Sequence, residues 1–376
     1  MAQPQQLIQA SSPVQLKAKR RKFDSTRCEK ITALNKPLST AIAKPRLPPQ
    51  PPRFSSMNTL FSNFITVFEA VAQIGVVILL AGWLVRRNII PAGGVKLISD
   101  IVINVFLPCL IFSNILVRFQ PSKFTGWWLL PLSATLLLLV GWSIAQILFC
   151  KAGEARRELI PLAFLQNAAY LVLPIGKIIL KEDFDQFALY CFLILLANNP
   201  LLWLIGKHYL RRRETREVFK WQRLLSPPIY ANIIALTLVI TNLRDFVPSV
   251  ITETASFLGE GAIPIATFAL GASLGSINLN FRRYLKPGSL VILQKLFLIP
   301  AAILGIMAFV PWLRSDPILI LLFTLQAASA PATSLILQSS SYSDNSERVG
   351  TIIVMCYIVC IISIPLWVAI AQALYG

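Results

Sequence analysis

Residues 158–180 read ELIPLAFLQNAAYLVLPIGKIIL. The run is long enough to cross a bilayer, because about 20 apolar residues at 1.5 Å rise span roughly 30 Å. Pro174 interrupts it, with Asn167 two turns earlier and Gly176 two residues later. Proline removes a backbone donor and clashes with the preceding turn, so the helix is expected to break or unwind near 168–174. Unwound backbone at membrane depth is tolerated only where protein buries it or where it lines a polar cavity. Residues 317–338, PILILLFTLQAASAPATSLILQ, form a counterpart: Leu325-Gln326-Ala327-Ala328-Ser329 echoes Leu165-Gln166-Asn167-Ala168-Ala169, and Pro331 interrupts it in turn. Two interrupted apolar segments in matching positions of two halves point to the binding site of a secondary transporter.

Composition sets the class. Of 376 residues 55% are hydrophobic and 14% charged, with a mean hydropathy of +0.65, against about 25% charged in a soluble domain. Apolar runs this long, without alternation, exclude a β-barrel and indicate an all-α polytopic membrane protein. The six cysteines (Cys28, Cys109, Cys150, Cys191, Cys356, Cys360) show no CxxC pairing and sit mostly in apolar runs, so they read as small core residues. The single histidine, His208, lies in a basic loop, and there is no Walker A loop. No metal and no cofactor is expected, nor an enzyme, since no acid/base or metal constellation can be assembled within the spans.

Ten spans can be placed, five in each half. The second of each half holds an internal proline (Pro108, Pro264) and the fourth holds the break (Pro174, Pro331). Five is odd, so the halves insert in opposite orientations and the pseudo-symmetry is inverted. The chain then divides into a basic tail at 1–56, a first five-helix repeat at 57–206, a basic loop at 207–223 and a second repeat at 224–376. Basic residues concentrate in the loops that follow odd-numbered helices: Arg86, Arg87 and Lys96; Lys151, Arg156 and Arg157; the run RRRETREVFKWQR at 211–223; Arg282, Arg283 and Lys286; and Arg348. These loops are expected to be cytoplasmic, with both ends of the ten-helix core outside. The 211–223 run then anchors on anionic lipid.

Residues 1–56 hold 11 Lys/Arg against Asp24 and Glu29, half of the net charge of +18. Rich in Pro, Gln and Ser and without apolar periodicity, this tail is expected to be disordered. It reads as a transit peptide, as a basic arm beside anionic lipid, or as the product of an early start with Met57 as the true one. Nothing else in the chain supports nucleic-acid binding. The protein is therefore placed in the plasma (inner) membrane, or in an organelle membrane if the tail is a transit peptide.

Candidate site residues follow from the breaks. Asn167 comes first, then Gln166, Gln326, Ser329, Thr333 and Ser334, with the backbone freed at Pro174 and Pro331; a half-helix N-terminus offers unpaired N–H groups and partial positive charge to an anion. The bland alternative is that these side chains only satisfy freed backbone. Lys295, in SLVILQKLFLIP, is the basic residue clearly inside a span, about 13 Å from Lys286 along the helix. It is read either as snorkelling or as a substrate or counter-charge residue. Glu69 and Glu260 are the carboxylates nearest to span interiors and are the candidates for proton or ion coupling. No Asp or Glu falls within 159–180 or 318–338, so a carboxylate-built sodium site at the crossing is not evident. Gly271 and Gly275 form a small-xxx-small pair, read as packing first and as a dimer contact second.

FLPCLIFSNI, LQNAAYLVLPIG, SPPIYANIIALTL, GAIPIATFALGASL and the closing LQAASAPATSLILQ and IPLWVAI, in that order from about Met57 to Gly376, resemble the auxin efflux carrier family of membrane transport proteins. The resemblance implies ten helices in two inverted repeats. It implies a scaffold of helices 1, 2, 6 and 7, a moving domain of helices 3–5 and 8–10, and prolines at the crossing of broken helices 4 and 9, which fall on Pro174 and Pro331. It implies export of small organic anions or carboxylates, auxin-like acids among them, by an elevator movement, often as a homodimer in contact with membrane lipid. The loop between the halves is short here, so control by phosphorylation of a large loop is not expected. Two other readings stand beside it: a sodium-coupled symporter of the bile-acid-symporter type, and a membrane sensor that binds a ligand without moving it.

Overall fold

The computed structural model describes residues 57–153, 156–210, 226–342 and 345–376. The 1–56 tail and most of the basic loop at 207–223 lie outside the described residues. What is described is helical, and the one departure from helix pairing is a single isolated β-bridge between Gln166 and Pro331.

The first half runs through α1 (Met57–Arg86), α2 (Ala92–Ile101), α3 (Leu107–Arg118), α4 (Leu129–Leu148), α5 (Arg156–Phe164), α6 (Val172–Leu180) and α7 (Phe184–Leu210). The second runs through α8 (Pro227–Ile240), α9 (Ser249–Glu260), α10 (Ala262–Gly275), α11 (Phe281–Leu293), α12 (Ile299–Phe309), α13 (Pro317–Ala328), α14 (Ser334–Tyr342) and α15 (Ser346–Tyr375). Two pairs are continuous rods joined by one π-helical turn, Val102–Phe106 between α2 and α3 and Gln294–Leu298 between α11 and α12. Each turn leads into a proline within the next helix's first two positions, Pro108 and Pro300. Pro300 cannot donate to Leu296 O, and the indole N–H of Trp367 donates there instead, at 2.7 Å.

Among the described residues, seven helical rods are long and apolar enough to cross a membrane, and Pro227–Ile240 and Pro317–Ala328 are shorter apolar helices. The protein is an integral, multi-pass membrane protein. Helix starts follow local rules: Pro227 and Pro228 open α8 after Ser226, and Asp316 accepts from Ile318 N at 2.9 Å ahead of Pro317.

Close packing explains the glycines of α10. Gly271 and Gly275 meet α1 of the same chain, where a Cβ on Gly275 would lie 2.5 Å from Gly82 Cα and one on Gly271 2.5 Å from Ile78 O. The small-xxx-small pair packs within the chain, as its first reading expected, and the secondary reading as a dimer contact has no support from it. The apolar core is continuous through α4, α5, α7, α13 and α15, and the broken stretches lie inside it.

Candidate functional site

α5 ends at Phe164 and α6 starts at Val172; α13 ends at Ala328 and α14 starts at Ser334. The unwound segments between them pair antiparallel. Asn167 N donates to Ala330 O at 2.9 Å, and Ala332 N donates to Leu165 O at 3.0 Å. The first break therefore lies at 165–171 rather than near 168–174. Pro174 sits in the first turn of α6, where a missing N–H is tolerated, and it packs near Leu107 and Ile263 beyond the bridge. Pro331, by contrast, lies in the bridge itself.

The other freed backbone groups are met by side chains. Asn167 Oδ1 accepts from Tyr170 N at 3.0 Å, and its Nδ2 donates to Tyr357 Oη at 2.6 Å. Gln326 Nε2 donates to Ala168 O at 3.1 Å, tying one half to the other. Ser329 Oγ donates to Gln326 O at 3.1 Å, and Lys295 Nζ donates to Ala327 O at 3.1 Å. Gln166 Nε2 donates to Asn198 Oδ1 of α7 at 3.0 Å. All of these side chains are buried.

Gln166, Asn167, Gln326, Ser329, Pro331 and Lys295 are thus brought together from the two halves. Glu69 and Glu260 are not: Glu69 is exposed on α1 and Glu260 is exposed at the end of α9. Sequence reasoning missed Tyr357 and Asn198. Asn198 carried the same signal as Asn167, an amide side chain inside an apolar span, whereas Tyr357 carried none.

The crossing retains polar capacity. Gln166 Oε1, Gln326 Oε1 and Asn198 Nδ2 are buried without a hydrogen-bond partner among the described residues. A buried polar atom left unpaired costs about 1–3 kcal/mol, so such a cluster favours a polar occupant. α6 and α14 both begin here, and their N-termini add partial positive charge. Beside the crossing, between α1, α10 and α15, lies an apolar cavity of about 380 Å³. Leu171 and Tyr357 are the wall it shares with the crossing, and Arg86 is the charged residue that lines it at the end of α1.

The profile of the membrane transport protein family matches residues 66–368, most of the chain and both breaks. The chain belongs to this family. A transporter of Methanocaldococcus jannaschii, itself uncharacterized, is 25% identical over 192 residues, covering 50% of this chain and 62% of that protein. The family is one of membrane transport proteins and includes the auxin efflux carriers. In secondary transporters generally, meeting discontinuous helices are where cargo binds.

Proposed function

We propose that the protein is a secondary carrier that exports small organic anions, carboxylates in particular, by an elevator movement. The observation that carries this is the antiparallel meeting of two broken helices, with orphaned amide atoms of Gln166, Asn198 and Gln326 and two half-helix N-termini buried at one point. A carboxylate needs donors and compensating charge. The N-termini of α6 and α14 offer both, and Asn198 Nδ2 is a buried donor already without a partner among the described residues. The oxygen end would lie at the crossing, and an apolar body would extend into the cavity beside Leu171 and Tyr357. In this reading Gln166, Asn167, Gln326, Ser329 and Pro331 form the site, Pro174 fixes the start of α6, and Lys295 supplies positive charge from behind.

Ten crossings result when α8, the α5–α6 pair and the α13–α14 pair are counted with the seven long rods, and the two halves then form inverted repeats. Packing supports a division into scaffold and moving domain. Within the proposed scaffold α1 lies along α10 and α3 along α8 and α9, within the proposed moving domain α4 packs on α7 and α13 on α15, and α1 lies equally along α15, the contact across which the two would have to slide. A homodimer is part of the proposal on the strength of the resemblance alone. Counterflow of labelled monocarboxylates and dicarboxylates in proteoliposomes tests the reading. Saturable exchange is expected, and ligand binding without counterflow would replace the carrier with a sensor.

A further inference from the structure

Lys295 is fully buried, and none of the ion pairs seen among the described residues involves it. The ion pairs Arg118–Asp185, Arg244–Asp245 and Arg348–Glu158 lie elsewhere. Cys356 and Cys360 of α15 are the titratable groups beside it. Its ammonium bonds instead to Ala327 O, one of the last carbonyls of α13 before the break. The neighbouring carbonyls are capped more weakly, Gln326 O by the Ser329 hydroxyl at 3.1 Å and Ala328 O by the Cys360 thiol at 3.7 Å. The π-helical turn that holds Lys295 is pinned on its other side, where Gln294 Nε2 donates to Gly141 O at 2.7 Å.

A half-helix C-terminus presents unpaired carbonyls and partial negative charge, and in sodium-coupled carriers such ends coordinate the ion. Lys295 places one positive charge against the same groups. We infer that Lys295 is a resident cation that stands where a coupling metal ion would otherwise bind, at the C-terminal end of α13. The inference rests on the carrier reading of the crossing for its consequence, though not for its test. With Lys295 protonated, a moving domain is neutral when loaded with a monoanion and positive when empty. Each export cycle then carries one negative charge outward, as anion out or as positive domain returning inward, and an inside-negative potential drives it without sodium.

The test is the thermal midpoint of the purified full-length chain in NaCl and in choline chloride at equal ionic strength, for the native protein, Lys295→Ala and Lys295→Met. The native protein is expected to unfold at the same temperature in both salts. Lys295→Ala opens space beside Ala327 O, and sodium should raise its midpoint by roughly 3 °C or more. Lys295→Met keeps the length without the charge, and its midpoint should lie below that of the native protein in either salt. A sodium shift in the native protein would overturn the inference, and so would an absent shift in Lys295→Ala. If Lys295→Ala does not fold, a Lys295→Met midpoint equal to the native one would overturn it. None of these readouts requires a substrate, so a wrong cargo class and a wrong role for Lys295 are separable.

Discussion

Asn167 uses both ends of its amide on the protein, capping Tyr170 N with its oxygen and reaching the Tyr357 hydroxyl with its nitrogen. Asn167→Ala removes both bonds and strands a buried phenol, a loss of about 1–3 kcal/mol. Transport should fall sharply while the protein still inserts; wild-type flux in that variant would remove Asn167 from the site. Asn167→Asp separates cargo contact from support. It keeps the acceptor for Tyr170 N but places a negative charge where the anion would sit, so its thermal midpoint should exceed that of Asn167→Ala while its transport stays as low. Recovery of flux along with stability would leave Asn167 a purely structural cap. Polar residues inside apolar runs were legible in the sequence because hydrocarbon tolerates them only with a partner. That is how Asn167, Gln166, Gln326 and Lys295 were found, and all four converge. Tyr357 was not found, because an aromatic ring raises no alarm in an apolar helix and its partner lies 190 positions away. Glu69 and Glu260 were chosen by rarity, but α1 is apolar on most faces, and nothing along it says which face is exposed.

At the scale of elements, α1 and α10 touch backbone to backbone at Gly82, Gly271 and Gly275. Gly275→Ile forces them apart, and overpacking of this kind costs about 1–3 kcal/mol. A lower thermal midpoint and yield are expected, and an unchanged midpoint would contradict the contact. The outer end of α3 meets the start of α7 through the Arg118–Asp185 pair and through Asn114 Nδ2 to Asp185 O at 3.3 Å. Both members of the pair are about half exposed, so its energetic worth is small. Its position matters more, because α3 belongs to the proposed scaffold and α7 to the moving domain. A disulfide from Arg118→Cys with Asp185→Cys should stop transport, and reductant should restore it. Full transport with the bridge closed would rule out movement between these two elements. The broken helices were legible from Pro174 and Pro331, but the first break lies one to two turns before its proline. Proline is comfortable in a helix's first turn, and the unwinding is set by pairing with residues 330–332, a contact between halves that local sequence does not carry.

For the whole molecule, the basic loops after odd-numbered helices set the expected orientation, with the α5–α6 and α13–α14 breaks between the two faces. With Lys295 buried and no carboxylate beside the crossing among the described residues, the proposed cargo is an anion, which would leave the loaded domain neutral. The all-helical membrane class was legible because bilayer length and apolar runs are written along the chain, whereas the ten-helix inverted repeat stays part of the proposal. Cargo identity was not legible, because it depends on the shape of a cavity built from α1, α10 and α15 together. The deciding measurement is flux of labelled carboxylates, an indole acid included, into inside-out vesicles, with membrane potential and sodium varied independently. Uptake that follows potential and ignores sodium is expected. Strict dependence on sodium would contradict an anion exporter with its cation built in.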